Sequence, residues 1–328
     1  MPTPIDTRGI FVRTRPLVAL SAAATLALLL AGCAGGATPD ATPSSTDSAA
    51  TDICSSAVPS GANSDAVEVE GEQGEPATAT FTSPMEITSS ERTVIIEGDG
   101  DAIEDGDLVD YALTVFDAAT GEEAAVEGYE TPILPVSVIF GSGADQFFGC
   151  ATVGSRIVMA LPQTEQSSAA VWVLDVLGTE TATTASGEAQ DPVDGMPTVE
   201  LDEDGVPTVT LPEGDLPTEF EKSTLIKGDG AVVADGDAVM VQYQGVSWNS
   251  GEVFDQSWGA APFSFSTSGG VVPGFADAVI GETVGSQVIA VLPPSAGYGE
   301  GEINEEDLTG QTLVFVIDIL AVQAVPAQ

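Results

Sequence analysis

The sequence contains no histidine, although it is 328 residues long. Catalytic triads with an imidazole base, zinc sites with histidine ligands and histidine proton shuttles are therefore excluded. Cysteine is scarce as well, with three residues, and aromatic side chains make up only 6% of the chain. Any chemistry that the protein performs must proceed without an imidazole.

Basic side chains are also scarce. Seven Lys and Arg stand against 51 Asp and Glu, which gives a formal net charge of −44. A field of this sign repels polyanions, so nucleic acid is excluded as a partner. We interpret the acidity as an adaptation to solubility or habitat, and an acidic surface that recruits a partner is the alternative.

The few aromatic side chains are concentrated in one part of the chain. Hydrophobic residues make up 43% of the sequence, which is enough for the cores of two or three small domains. The stretch from residue 251 to residue 298 contains Phe254, Trp258, Phe263, Phe265, Phe275 and Tyr298. We expect this stretch to line an apolar pocket.

The N-terminus has the pattern of a bacterial lipoprotein signal. Three arginines precede an apolar run at 16–30, which ends in LAGC (30–33). The run is shorter than the roughly 20 residues of a membrane-spanning helix, which disfavours an uncleaved membrane helix. We predict a signal peptide at 1–32, lipidation of Cys33 and a flexible tether at 33–51, where small polar residues and proline dominate.

The predicted export of the protein bears on the state of the other two cysteines. Cys54 and Cys150 would lie in an oxidising compartment, where pairing is the rule. We predict a disulfide bond between them, and a metal site of two thiolates is the disfavoured alternative. Removal of residues 1–32 would leave 4 of the 7 basic and 50 of the 51 acidic residues.

The chain contains an internal repeat. The segment that begins at Glu97 aligns without a gap with the one that begins at Lys227, at an offset of 130. Further matches follow at offsets of 131 and 143, namely VGSRIVMALP (153–162) with VGSQVIAVLP (284–293) and VWVLDVL (171–177) with VFVIDIL (314–320). We therefore predict two domains, 52–180 and 217–328, joined by a linker at 181–216.

Each copy has mainly the pattern of β-strands. In the second copy, three segments have strand length, β-branched residues and Gly or Asp turns between them: 237–243, 288–292 and 312–320. The segment GFADAVI (274–280) places Phe275 and Val279 on one face of a short helix. The predicted fold class is α+β, with one sheet around one helix in each copy. VTL (209–211) in the linker could add an edge strand.

Seven segments of the second copy resemble, in order, the signature segments of the FKBP-type peptidyl-prolyl cis-trans isomerases. They are VQYQG (241–245), GEVFD (251–255), PFSF (262–265), GGVVPGF (269–275), VGSQ (284–287), LPPSAGYG (292–299) and TLVFVIDIL (312–320). The resemblance covers about residues 223–322. It implies that each domain is FKBP-like, an antiparallel β half-barrel wrapped around a short helix, with an apolar pocket that takes a proline ring.

The resemblance also implies the residues of that pocket. Its lining would consist of Tyr243, Phe254, Phe263, Val271, Val272, Phe275, Tyr298 and Phe315, with Ile303 as a cover. Tyr298 would donate a hydrogen bond to the substrate carbonyl, Asp255 would lie beside the rotating amide, and Tyr243 would orient Asp255. Phe275 stands where the family usually has Trp, so the floor is aromatic but smaller. No cofactor or metal is implied.

Other residues of this region are less clearly assigned. We expect Phe265 to belong to the core, because we place it on the other face of the strand from Phe263. Trp258 lies in a loop, and its contact with the pocket is left open. The loop EGEINEEDLTG (300–310) is acidic and lacks the Pro-rich tip common in the family, which leaves the substrate preference open.

The first copy lacks the implied site. At the repeat offsets, Tyr243, Phe254, Asp255 and Phe275 correspond to Leu113, Ala124, Ala125 and Ala144. The change of offset from 131 to 143 also removes the loop that follows Tyr298 in the second copy. We therefore interpret 52–180 as a degenerate FKBP-like domain that carries no catalytic site.

The resemblance implies a lipid-anchored peptidyl-prolyl isomerase on the extracytoplasmic face of the cell membrane. Its partners would be proline-containing exported polypeptides and the membrane, through Cys33, and the family resemblance adds macrolide ligands. The alternative is a non-catalytic proline-binding or chaperone lipoprotein that keeps the fold. A surface adhesion lipoprotein is disfavoured because the ordered motifs would then be accidental. The sequence does not indicate an oligomeric state.

Overall fold

The computed structural model describes residues 52–179, 182–214, 216–304 and 307–325. The predicted signal peptide (1–32), the predicted lipidation site Cys33 and the predicted tether (33–51) lie outside these residues. Both copies of the repeat belong to one compact unit, Ala49–Gln328. Within the described residues, no helix is long and apolar enough to cross a membrane.

The first copy folds into a hairpin, an antiparallel sheet and one short helix against that sheet. Its elements in chain order are α1 (Ile53–Ser56), α2 (Ala62–Asp65), β1 (Glu68–Glu70), β2 (Thr78–Thr80), β3 (Glu91–Ile96), β4 (Leu108–Asp117), β5 (Glu123–Glu127), β6 (Val136–Ser137), α3 (Ala144–Phe148), β7 (Arg156–Leu161) and β8 (Ala170–Gly178). The long strands β4 and β8 form its centre and are rich in Val, Leu and aromatic residues, which favour a pleated, buried surface.

The second copy has the same parts with a longer helix. Its elements are β9 (Glu188–Ala189), β10 (Thr198–Leu201), β11 (Pro207–Thr210), β12 (Glu221–Lys227), β13 (Ala238–Ser247), β14 (Val253–Gln256), β15 (Phe263–Ser266), α4 (Pro273–Val279), β16 (Gln287–Leu292), a 3₁₀ turn (Pro294–Ala296) and β17 (Leu313–Gln323). The helix α4 begins and ends one residue before the predicted segment 274–280.

The two sheets share one strand order. In the first copy the order is β5-β4-β8-β7-β3, with β6 beside β4. In the second copy it is β14-β13-β17-β16-β12, with β15 beside β13 and β9 added at the β12 edge. The neighbouring strands are antiparallel in both sheets. The repeat seen in the sequence is therefore a repeat of topology as well.

The central strands of the second sheet are buried on both faces. In β16, Val288 and Ala290 belong to the core around α4, whereas Ile289 and Val291 belong to a second apolar cluster on the opposite face. This arrangement explains why β16 is continuously apolar and does not alternate, because a strand covered on both sides has no face for polar side chains.

The segment 181–216 is not the plain linker that its composition predicts. Its strands β10 and β11 form a hairpin that packs on the opposite face of the second sheet from α4, through Met196, Val199 and Val209. The apolar positions of this hairpin could not be recognised as strands in the sequence, because Thr, Pro, Gly and Asp lie between them. The edge strand expected at 209–211 pairs with β10 in this hairpin, and the strand that extends the sheet edge is β9.

A hairpin precedes the sheet in both copies. The strands β1 and β2 pack on the outer face of the first sheet in the same way, through Val67, Val69 and Ala77. Glu68 pairs with Thr80, and Thr198 pairs with Thr210, so the two hairpins stand 130 residues apart. The repeated unit therefore starts about 30 residues before the segment in which the sequence similarity is visible.

Cys54 and Cys150 form a disulfide bond, as predicted, with a Cα–Cα distance of 4.7 Å. The bond joins α1 to the segment that follows α3. Beside it, the Val58 N–H donates a hydrogen bond to the carbonyl of Gln146 at 3.0 Å. The start of the described chain is thus attached to the helix of the first copy, where the buried side chain of Ile53 enters the core.

All four basic residues of the described chain bind acceptors within the protein. Arg92 donates hydrogen bonds to the last two carbonyls of α3, and Lys222, 130 residues further on, donates to three carbonyls at the end of α4. These carbonyls have no partner within their helix, and a cation there also offsets the helix dipole. Lys227 forms an ion pair with Glu282 at 3.1 Å. The carboxylate of Glu282 also lies 3.5 Å from the ammonium group of Lys222.

The fourth cation, Arg156, forms a fully buried ion pair with Asp175. Its Nε and Nη2 each lie 2.6 Å from a carboxylate oxygen. The guanidinium also donates hydrogen bonds to three carbonyls of the loop between β1 and β2, so the pair connects the hairpin to the sheet. The hydrogen bond with Asp175 raises the pKa of Arg156, although burial acts in the opposite direction.

The second copy has no cation at the corresponding position. There Gln287 donates a hydrogen bond to Asp318 at 2.8 Å, and the Ala185 N–H donates to the other carboxylate oxygen at 2.8 Å. Burial raises the pKa of Asp318 above its usual value of 3.8, because these two neutral donors compensate the lost hydration only in part. The folded state therefore holds the proton more tightly than the unfolded chain does.

This raised pKa predicts a pH-dependent cost to stability. The contribution of Asp318 is most favourable below pH 3.8 and becomes less favourable as the pH rises through the raised pKa. We expect Asp318→Asn to raise the unfolding temperature near neutral pH and to change it little at about pH 3, since the side chain is neutral there in both proteins. Thermal unfolding of both proteins at the two pH values checks this. A shift of equal size at both values would contradict it.

The two copies contact each other through a small apolar cluster. Leu108 of the first copy packs with Met240 and Leu320 of the second. At the repeat-equivalent positions of the first copy, Met240 and Leu320 correspond to Asp110 and Leu177. A carboxylate, Asp110, thus stands in the first copy where the second copy contributes the apolar side chain of Met240 to this cluster.

Candidate active site

A cleft of about 260 Å³ opens between α4 and the sheet of the second copy. Six elements supply its walls, which are the strands β13, β14, β15 and β17, the start of α4 and the turn that follows the 3₁₀ segment. The lining residues are Tyr243, Phe254, Asp255, Phe263, Gly270, Val271, Val272, Phe275, Tyr298 and Phe315. The walls are therefore aromatic and aliphatic, with three polar groups among them, the carboxylate of Asp255 and the hydroxyls of Tyr243 and Tyr298.

Phe275 forms the floor of the cleft and is only 4% exposed. Pro273 starts α4, which places Phe275 in the first turn with its ring against the sheet. Its neighbours are other rings, met edge to face, at centroid distances of 5.5 Å for Tyr243, 6.5 Å for Phe263, 5.2 Å for Phe265 and 5.1 Å for Phe315. Edge-to-face contacts of this kind stabilise one another and fix the rings in place.

Gly245 makes room for two of these rings. It lies on β13 between Asp255 on β14 and Phe315 on β17. A Cβ at this position would stand 2.5 Å from the ring of Phe254 and 2.9 Å from the ring of Phe315. Because no Cβ tolerates such distances, glycine here allows both rings to approach the strand closely and keeps the cleft open.

One hydrogen bond joins two of the polar groups of the cleft, Tyr243 and Asp255. The hydroxyl of Tyr243 donates to Asp255 at 2.5 Å. Burial raises the pKa of Tyr243, and the hydrogen bond and the charge of Asp255 raise it further, so the hydroxyl stays protonated and acts as a donor. Ser257 fixes the backbone beneath, since it exchanges two 2.9 Å hydrogen bonds with the main chain of Tyr243.

Most of the residues expected in the cleft lie in it. The exception is Ile303, which is 60% exposed and does not line the cleft, because it sits at the tip of its loop. The sequence analysis missed Gly270, whose lack of a side chain left no signal. Tyr298 lines the cleft and stays 49% exposed.

The two aromatic residues that were hard to assign are both buried. Phe265 belongs to the core as expected, but the reason given for it was wrong. It stacks on Phe263 at 5.7 Å, because residues two apart lie on the same face of a strand. Trp258 does not contact the cleft and packs with Met196 on the opposite face of the sheet. Its indole N–H is buried without a hydrogen-bond partner among the described residues.

No set of three Cys, Asp or Glu side chains that could hold a metal ion occurs among residues 52–179, 182–214, 216–304 and 307–325. The cleft itself has one carboxylate, Asp255, beside two tyrosines. Its chemistry is therefore that of an apolar surface with one hydrogen-bonded acid and two hydroxyl groups.

Known proteins resemble the second copy. The family model described as FKBP-type peptidyl-prolyl cis-trans isomerase matches residues 230–320. A probable FK506-binding protein of Corynebacterium glutamicum is 37% identical over 99 residues, which are 30% of this chain and 83% of that protein. The chain belongs to the FKBP-type isomerase family. Its enzyme class is accordingly that of the peptidyl-prolyl cis-trans isomerases.

One more sequence relative and one solved structure illustrate the similarity. The FK506-binding protein of Streptomyces anulatus is 37% identical over 99 residues, which are 29% of this chain and 80% of that protein. Among solved structures, the crystal structure of FkpA from Escherichia coli is 26% identical, covers 41% of this chain and 54% of that chain, and has a TM-score of 0.30. The FKBP assignment rests on the sequence relatives.

The first copy lacks the side chains that form the FKBP cleft. Leu113, Ala124, Ala125 and Ala144 stand at the positions of Tyr243, Phe254, Asp255 and Phe275. Val115 stands at the position of Gly245 and packs on the core of the first copy. Because a side chain at that position excludes a ring at the Phe254 position, Val115 and Ala124 are compatible with each other but not with an open cleft.

Proposed function

We propose that the second copy isomerises X-Pro bonds of exported polypeptides in the aromatic cleft and that the first copy is a non-catalytic FKBP-like domain. The observation that carries the proposal is the set of rings around Phe275 together with the Tyr243–Asp255 pair. A cleft of about 260 Å³ is large enough for a proline ring and its neighbouring amide.

The proposed mechanism needs no bond to break. Rotation about an X-Pro bond has a barrier of roughly 20 kcal/mol, because the amide loses resonance as it twists. The planar amide is charge-separated, so an apolar cleft disfavours it relative to the twisted form. Tighter binding of the twisted form then accelerates rotation in both directions.

The polar groups have positioning and hydrogen-bonding roles in this proposal. Tyr243 holds Asp255 beside the amide through their 2.5 Å hydrogen bond. Tyr298 donates a hydrogen bond to the carbonyl of the bound segment. Neither group transfers a proton, since isomerisation neither adds nor removes one.

The roles of the polar groups predict modest losses of activity. We expect Tyr298→Phe to lower kcat/KM about two- to tenfold, because one neutral hydrogen bond contributes about 0.5–1.5 kcal/mol. Asp255→Ala should lose at least as much, since it also leaves the half-buried hydroxyl of Tyr243 without its acceptor. A protease-free isomerisation assay on a Leu-Pro peptide measures all three proteins. Equal rates would remove these roles, and no acceleration by the wild type would favour the non-catalytic proline-binding alternative.

We also propose that Cys33 carries the lipid and anchors the protein at the extracytoplasmic face of the cell membrane. The pattern of arginines, the apolar run and LAGC (30–33) supports this. A Cys33→Ser variant that still partitions with the membrane fraction would contradict it. The cleft is proposed to take macrolides as well, since one relative is named an FK506-binding protein, and inhibition of the isomerisation by FK506 tests this.

A further inference from the structure

No basic side chain of the described chain is free to meet a ligand at the cleft. Arg92 and Lys222 are bound to the ends of α3 and α4, Arg156 is buried with Asp175, and Lys227 pairs with Glu282. The large excess of Asp and Glu is therefore left without compensation at the surface. A bound polypeptide meets a field of one sign.

Exposed acidic residues are also present at the cleft and directly after one of its lining residues. Asp255 is exposed at its edge, and Glu300 and Glu302 follow the lining residue Tyr298 by two and four positions, both exposed. Asp307 stands on the returning side of the same loop, and we call its described residues, 299–304 and 307–310, the acidic loop.

The acidic loop is held in place by hydrogen bonds at its base. The Gly310 N–H donates to the carbonyl of Gly299 at 2.9 Å, and the Asn304 N–H donates to the carbonyl of Thr309 at 3.0 Å. The side chain of Gln311 donates to the carbonyl of Asn304 at 2.9 Å and accepts from Ser247 at 2.5 Å. These bonds hold the described backbone of the acidic loop next to Tyr298 in the chain, so that its exposed carboxylates stay on a loop that begins at the cleft.

The acidic loop occurs only in the copy that has the cleft. The first copy lacks twelve residues in this part of the chain, as the change of offset from 131 to 143 shows, and it joins β7 to β8 by the shorter segment 162–169. The cleft and the acidic loop therefore differ together between two copies that share their sheet, helix and hairpin.

We infer that the second copy selects X-Pro segments whose neighbouring residues are Lys or Arg. The inference rests on the proposed function, because it names the class of polypeptide that the same cleft takes. An exposed ion pair contributes about 0.2–1 kcal/mol, so two or three such pairs amount to about a five- to tenfold preference. The field of the whole chain adds to this by raising the association rate of cationic segments.

The test compares two peptides with the same Leu-Pro-Phe centre, one flanked by lysines and one by glutamates. Their Kd is measured by calorimetry and their kcat/KM by exchange NMR, at low salt and at about 0.5 M salt, where screening is strong. We expect the lysine peptide to bind about five- to tenfold more tightly at low salt, with the difference lost at high salt.

Two matched variants locate the effect. Glu300→Gln with Glu302→Gln removes two charges from the acidic loop. Glu200→Gln with Glu203→Gln removes two exposed charges from the β10–β11 hairpin, on the opposite side of the sheet from the cleft. The first variant is expected to lose most of the preference for the lysine peptide and the second to keep it.

The outcomes separate the inference from the proposed function. Equal Kd values for the two peptides, or equal effects of the two variants, would overturn the inference even if both peptides are isomerised. A preference for the lysine peptide in binding, lost in the loop variant, would support it even if neither peptide is isomerised. In that case the catalytic proposal alone fails.

Discussion

Gly245→Val is expected to lower kcat/KM for an X-Pro peptide by about 10- to 100-fold while the protein stays folded. The new Cβ would stand 2.5 Å from the ring of Phe254 and 2.9 Å from that of Phe315, so both rings must turn into the cleft. Such overpacking costs about 1–3 kcal/mol, and here the cost falls on the walls that bind the proline. The first copy already has valine at the equivalent position, Val115.

A matched variant controls for the loss of a glycine as such. Gly269 lies in the same copy and has no atom within 4 Å of an added Cβ. Gly269→Val should therefore keep most of the activity, and far-UV circular dichroism of both variants reports whether the sheets are retained. Undiminished isomerisation by folded Gly245→Val would contradict the role assigned to the two rings.

Arg156→Gln is expected to lower the free energy of unfolding by about 3–5 kcal/mol, because it leaves the buried charge of Asp175 without a counter-ion. The side chains of Arg156 and Asp175 are both fully buried and joined by two 2.6 Å hydrogen bonds. The variant also removes the hydrogen-bond donor of the three carbonyls in the β1–β2 loop that accept from the guanidinium. Urea unfolding of the whole protein, followed by circular dichroism, measures the change.

The double variant Arg156→Gln, Asp175→Asn separates the charge from the packing. With both charges gone, an amide pair replaces the ion pair, and part of the lost stability should return. The second copy shows a related arrangement, in which Gln287 faces Asp318. A double variant that is less stable than the single one would contradict the explanation by an unpaired charge.

The composition of the cleft could be predicted from the sequence because its residues lie in short, ordered segments. Tyr243, Phe254, Phe275 and Phe315 come from β13, β14, α4 and β17, and the cleft brings them together as expected. The first copy supports this prediction, because it has the same sheet but carries Leu113 and alanines where the second copy has the residues of the cleft.

The two hairpins could not be predicted in the same way. The segments 66–80 and 196–210 share one Val, one Glu and two Thr positions at an offset of 130, but turn residues and exposed acids interrupt the apolar pattern. Burial in the folded protein reveals them, because Val69 and Val199 cover the outer faces of the two sheets, and no pattern in the sequence indicates that these faces are covered. Trp258 is placed by the same packing.

Loop geometry was the other limit. Ile303 was expected to cover the cleft and instead stands at an exposed loop tip, since loop length alone does not determine where a side chain points. The role of Gly245 was also invisible in the sequence, because a glycine shows its purpose only when the neighbouring rings are placed. The signal peptide and the lipidated Cys33 stay predictions.

The most direct test of the account makes the second copy resemble the first. Phe254→Ala with Asp255→Ala installs the pair that the first copy has at Ala124 and Ala125. The assay is protease-free exchange NMR on a Leu-Pro peptide. The wild type is predicted to accelerate isomerisation, whereas with the folded double variant the peptide is predicted to isomerise at the uncatalysed rate. Activity retained by the double variant, or none in the wild type, would contradict the account.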